Sequence, residues 1–273
     1  MTNIHLLDVY HTIRLNNLQL RGKKMLKDSN FSSIMETGDH SKNWTNPKGK
    51  TAMKKMILSI FILTFAFIFI TCGGDSDSDD NGVTYPNLVI GSIEWAGCNV
   101  DSYKAFAAKP DMYTKFYQWN RSKAWPATGS ISGTWETGIN DPEWIINPCP
   151  AGWRLPTMAE QQNLRALGGT WAEAGTRGNS VAGMFLGQNH ATASLPDNMD
   201  GAIFLPACGA RVPADGSLIG QGELGIYHSA NSTYVVDRYY AQNMMFNDDP
   251  YLGEGYGPMD NFTSIRPVRN VAP

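Results

Sequence analysis

The chain has 273 residues, 42% of them hydrophobic and 17% charged, an ordinary balance for a globular protein of one or two domains. Its net charge of −3 averages two unlike parts: residues 1–71 carry ten Lys and Arg against four Asp and Glu, and the remainder carries twelve against twenty-one. The acidic remainder argues against nucleic-acid binding, which needs a basic footprint to neutralise phosphates.

In chain order, residues 1–52 are polar and show no hydrophobic period. An apolar run of 16 residues, Met56 to Thr71, then follows Lys54 and Lys55. A membrane-spanning helix takes about 20 apolar residues and a signal-peptide core roughly 7–15, so residues 53–71 fit a signal peptide with a basic flank. Met53 is therefore the expected initiator and residues 1–52 a mis-assigned extension; the alternative is a cytoplasmic extension on a type II anchor. Cys72, followed by Gly-Gly and the acidic DSDSDD, resembles the processing site of lipoproteins of the Bacteroidota type, with Phe69-Ile70-Thr71 in place of the usual Leu-Ala-Gly. That resemblance implies acylation of Cys72 as the first mature residue, an outer-membrane lipid anchor and display at the cell surface. A plain transmembrane anchor and a signal with a non-lipidated Cys72 are the competing readings.

Residues 72–87 are too polar and acidic to bury a core and read as a disordered tether. From 88 to 273 the chain is aromatic- and Gly-rich and of single-domain size. In LPTMAEQQNLRALGG, Thr157 stands at an N-cap and Glu160 completes a capping box; Leu164 and Leu167 supply an apolar face, and Gly168-Gly169 stop the helix. Elsewhere short β-like runs alternate with Gly, Asn, Asp and Pro: LVIGSIEWAGCNV, GMFLG, AIFLPACGAR, GIYHSAN, YYAQNMMF and SIRPVR. Pro267 in the last run predicts an edge position or a strand end. One helix among several strands, without βα alternation, predicts an α+β domain with an antiparallel sheet.

Six segments in order carry a family resemblance: WAGCNV (95–100), KFYQWNRSKAWPATG (115–129), NPCPAGWRLPTMAEQQNL (147–164), IFLPACGAR (203–211), LGIYHSA (224–230) and SIRPVR (264–269). Together they resemble the Fibrobacter succinogenes major paralogous domain, whose pattern runs W-x-x-x-N, F-Y-Q-W-N-R, C-P-x-G-W-R-x-P-T, F-L-P-A-A-G-x-R, G-Y-Y-W-S-S and V-R-C-V. The resemblance implies a C-type lectin-like fold with two short helices, a twisted antiparallel sheet and adjacent chain ends. The sequence departs at Pro267, where the family has a terminal Cys, at His228, where Trp is usual, and at Cys208, where Ala is usual.

The resemblance also bears on the cysteines. The family pattern implies that Cys149 pairs with the terminal Cys missing here; Cys98, on a first strand expected beside the last, is the favoured substitute. A Cys149–Cys208 bridge and no bridge are the alternatives, in a compartment that permits disulfides. The related formylglycine-generating enzymes carry paired reactive cysteines, and no motif here carries such a pair. No Cys or His pair has zinc-ligand spacing, no G-x-S-x-G elbow appears, and the E-P-N, Q-P-D and W-N-D signatures of calcium-dependent sugar binding are absent. The acidic stretches LPDNMD (195–200) and NDDPYLGEG (247–255) read as solvated loops rather than calcium sites. His228 reads as structural, Arg154, Arg211 and Arg266 as guanidinium groups tying loops together, and Trp95, Trp119 and Trp153 as core.

The functional expectation is a surface lipoprotein that binds glycan or protein, or a structural module, with no enzymatic activity, catalytic residue, metal or cofactor. The alternative is an enzyme on the same scaffold acting on a cell-wall or dietary polymer. Trp135 and Trp144, in the Gly-rich stretch before the helix, are the expected ligand contacts, because aromatic faces stack on sugars and anchor interfaces.

Overall fold

The computed structural model describes residues 85–249 and 251–271, all within one of the chain's two compact units. The expectations for residues 1–52, for the signal at 53–71 and for Cys72 lie outside the described residues. Two apolar runs lie deepest in the fold. Gly183–Gly187 (β4) and Ala202–Pro206 (β5) pair antiparallel and are buried along their whole length. Burial on both faces explains why neither run alternates polar with apolar. Their pleat sends Phe185 and Phe204 to one cluster, beside Cys98 and Leu195. Met184, Leu186, Ile203 and Leu205 go to the other, against Trp95, Leu164, Tyr227, Phe246 and Val268. Gly169–Ala172 (β3) adds an outer strand to β4.

The first and last described strands share a second sheet. Leu88–Ile90 (β1) pairs with Ile93–Trp95 (β2), which pairs in turn with the last strand, Val268–Asn270 (β11). Pro267 stops just short of β11, at a strand end as its missing N–H requires. Ala210–Arg211 (β6) and Leu218–Ile219 (β7) form a small ladder. The third large sheet holds Leu224–Val235 (β8), Arg238–Asn247 (β9) and Leu252–Gly257 (β10). Every strand pair is antiparallel, so the α+β class stands.

Among the described residues there is one helix, α1 (Met158–Ala166), where the resemblance implies two. It begins with the predicted capping box: Thr157 Oγ1 accepts from Glu160 N–H, and the Glu160 carboxylate accepts from Thr157 N–H. Its buried stripe is Met158, Gln161 and Leu164. The polar member has a use there: Gln161 Nε2 donates to the Tyr227 and His228 carbonyls and so ties α1 to β8. Gly168, at φ 95, follows the helix end.

Gly209 makes a turn no other residue fits. It sits at φ 74, and a Cβ there would stand 2.1 Å from Ile219 O and 2.7 Å from Gln221 N, both backbone atoms. The αL strain and the overpacking together should make Gly209→Ala cost about 2–4 kcal/mol in denaturant unfolding. A change within about 0.5 kcal/mol, the range of an inert surface substitution, would show that the 207–221 backbone is not held as described.

Candidate functional site

The segment Gln118-Trp119-Asn120-Arg121 organises the long irregular stretch that precedes α1. Gln118 Nε2 donates to Glu136 O and Asp260 O, at 2.7 and 2.9 Å. Trp119 Nε1 donates to Asp141 O. Asn120, held at φ 52, accepts at Oδ1 from both Ile145 N–H and Ile146 N–H, at 2.8 and 2.7 Å. Asn tolerates this left-handed conformation better than most residues. Arg121 bridges Glu136 and Asp141, at 2.6 and 2.8 Å. Four consecutive side chains thus pin residues 136–146 from below.

The pinned loop lies against the outer half of the β8–β9 hairpin. Ser232 Oγ donates to Pro142 O, Asn140 Oδ1 accepts from Tyr239 N–H, and Arg238 donates to Ile139 O. Ile139 packs with Trp119, Ala241 and Met259, flanked by Trp144 and Tyr239. Tyr239 meets its cross-strand partner Tyr234 edge to face at 4.9 Å. Several outward side chains of this loop and hairpin are large and apolar: Ile145 is 77% exposed, Val236 76% and Tyr234 59%, with Ile146 beside them.

The hairpin tip is strained. Val236 has φ 61, and Asp237 N–H donates to Val235 O across it, closing a three-residue turn. A β-branched residue in this region is an outlier whose strain is of order 1–3 kcal/mol.

The structure corrects two sequence expectations. Cys149 keeps a free thiol, as does Cys208, so neither the Cys98–Cys149 nor the Cys149–Cys208 bridge forms. The side chains enter different clusters: Cys98 packs with Phe185 and Phe204, and Cys149 with Val100, Tyr117, Trp153 and Ile265. Cys208 lies in a third cluster, with Phe116 and Trp125. Burial pushes the Cys149 thiol up to about 12 and raises Cys208 as well, so both are poor nucleophiles at neutral pH.

Trp135 and Trp144 are not the freely exposed pair that the loop composition predicts; each is half-buried. Trp135 meets Trp125 and Phe262 edge to face and donates Nε1–H to Pro213 O at 2.7 Å. Trp144 packs on Trp119 at 4.7 Å and on His228 at 5.1 Å. On this surface the large exposed apolar side chains are Ile145 and Ile146, next to Trp144, and the hairpin's Tyr234 and Val236, none of which the sequence singled out. Only one signal pointed that way: the apolar Ile145-Ile146 pair in a Gly- and Asp-rich loop.

The other residues singled out from the sequence take structural places. Trp95, Trp119 and Trp153 are core. Arg211 is buried and donates to the Pro126, Thr128, Gly129 and Gly216 carbonyls. Arg266 is buried and donates to Ala96 O and Phe204 O. Arg154 clasps Glu160 through both terminal nitrogens and reaches Asn270. Among the described residues no three His, Cys, Asp or Glu side chains converge as metal ligands would.

Comparison with known proteins finds no matching family model, no matching curated protein and no matching solved structure.

Trp135 and Trp144 should behave as partial core. Each change to Ala should cost about 2 kcal/mol, roughly half the penalty of a fully buried Trp, and lower Tm by about 4–8 °C in a domain of this size. Unchanged Tm values would return both rings to the free surface.

Proposed function

We propose that residues 88–273 form a non-enzymatic binding module, a C-type lectin-like domain of the Fibrobacter succinogenes major paralogous type. In this reading Cys72 is lipidated and holds the module at the outer-membrane surface, where it contacts a glycan or another surface protein. The observation that carries the binding role is the exposure of Ile145, Tyr234 and Val236 on a loop and hairpin braced from beneath. Large apolar side chains held rigidly in water lose little conformational entropy on binding, and aromatic residues among them act as anchors. The strain at Val236 supports the same assignment, because strained backbone concentrates at ligand clamps and switch regions. Trp144 supports this surface from its inner side.

The full chain in detergent, probed on a glycan array and against an immobilised outer-membrane protein extract, supplies the ligand. The variant Ile145→Ser/Tyr234→Ala/Val236→Gly should then bind at least ~30-fold more weakly, as loss of a ~2 kcal/mol hot spot implies. Its Tm should fall by no more than about 4 °C, because Gly relieves the strained turn while the change at Tyr234 loses only its ring contact with Tyr239, a pair worth up to about 1 kcal/mol. Undiminished binding by this variant would move the contact surface elsewhere.

A further inference from the structure

His228 is fully buried on β8, opposite Asn243 of β9. Its Nε2 lies 3.1 Å from the Tyr117 carbonyl oxygen. A carbonyl oxygen can only accept, so Nε2 carries the hydrogen, and in a neutral ring Nδ1 is a bare acceptor. Neither Nδ1 nor Asn243 Oδ1 has a hydrogen-bond partner; the Asn243 amide nitrogen is committed to Ala241 O at 3.1 Å. Two buried acceptors on facing residues therefore share one deficiency, a hydrogen. A buried unsatisfied acceptor carries a real desolvation penalty, so a group that supplies the hydrogen is favoured. Trp144, at 5.1 Å between ring centroids, and Trp119, at 6.0 Å, meet the imidazole in T-shaped contacts.

We propose that His228 and Asn243 form a buried proton-binding site beneath the 139–147 loop. Uptake of one proton at Nδ1 completes an Nδ1–H···Oδ1 bond between β8 and β9 and sets an imidazolium against Trp144 and Trp119. The coupling runs from the proton to Trp144, and from Trp144 to the adjoining Ile145 and Ile146. It does not depend on which ligand, if any, the loop binds.

The charged groups on the surrounding elements are committed elsewhere. Arg121 pairs with Glu136 and Asp141, Glu160 with Arg154, and Arg165 with Glu254. Asp260 accepts from Gly138 N–H, the Arg238 guanidinium lies over Tyr240, and Glu143 is exposed. Burial dominates the ring itself and lowers its titration to about 4, with the Tyr117 carbonyl and Asn243 acting in the opposite direction. An unfolded imidazole titrates near ~6.5, so between that pH and about 4 the unfolded chain holds a proton that the folded chain lacks. Stability therefore falls as pH drops through this window, and the loss levels off below about 4, where both states are protonated.

The test is a 15N-histidine NMR titration of the full chain in detergent micelles, with tryptophan emission followed in parallel. His228 should be the Nε2–H tautomer at neutral pH and take up one proton near pH 4, with a step in emission that His228→Gln lacks. Asn243→Leu should lower the midpoint by at least about half a unit, and Asn243→Asp should raise it by more than about one, since a hydrogen bond or charge on the protonated form favours that form. An Nδ1–H tautomer at neutral pH would overturn the proposal. So would an unmoved or raised midpoint in Asn243→Leu, which would mean that the amide nitrogen already faces the ring. Protonation without a change in emission, or unfolding of the wild type above pH 5, would sever the link to the loop.

Discussion

Buried backbone groups outside regular structure must still find hydrogen-bond partners, and this constraint shapes the domain more than any single apolar contact. Between Trp95 and Met158 the described chain makes isolated bridges but no strand. Much of that stretch is nonetheless buried, Phe116, Tyr117 and Trp119 completely. Many of its carbonyls and N–H groups are met by side chains, some from the stretch itself. Asn120 holds two consecutive amides, Gln118 the Glu136 carbonyl, and Arg211 the carbonyls of Pro126, Thr128 and Gly129. An arginine suits this work because its fork presents five donors in a fixed plane. Buried amides and guanidinium groups here replace secondary structure.

This arrangement also explains how an irregular loop can serve as a firm platform. Residues 136–146 are fixed by the four side chains at 118–121 and by the hairpin beside them. Trp119, Trp144 and His228 fill the space beneath with edge-to-face contacts, which give directional packing without further backbone bonds. The outer side chains can then be apolar and exposed without destabilising the fold, because the loop is held by its backbone bonds and by the rings beneath it. In a pinned loop an interface residue has little entropy left to lose.

Local signals were the legible part of the sequence. The capping box at Thr157 and Glu160, the stop at Gly168, the apolar runs of β4 and β5, and the strand end at Pro267 follow from nearest-neighbour chemistry. Each appears in the structure where it was expected. The β8–β9 turn was not legible, since Val236-Asp237 lacks the Gly or Asn that marks a two-residue hairpin. The exposure of Trp135 and Trp144 was misjudged because loop composition says nothing about which long-range partners a ring meets. Trp135 bonds Pro213, 78 residues away. The cysteine pairing failed for a related reason: residues 98 and 149 approach the same region of the fold but point into different clusters. The motif FYQWNR was conspicuous as a pattern, yet its work, side chains capping a loop twenty residues on, shows only in three dimensions.

The central claim is that side chains hold the irregular segments as firmly as ladders hold strands, and amide hydrogen exchange at Ile145 and Ile146 tests it most directly. Both residues have exposed side chains but amides bound to Asn120 Oδ1. Their amides should exchange slowly in the native protein, and Asn120→Ala should speed both while the amides of β4 and β5 stay protected. Fast exchange at both positions in the wild type, or equal protection in Asn120→Ala, would show that something other than this side chain sets the loop.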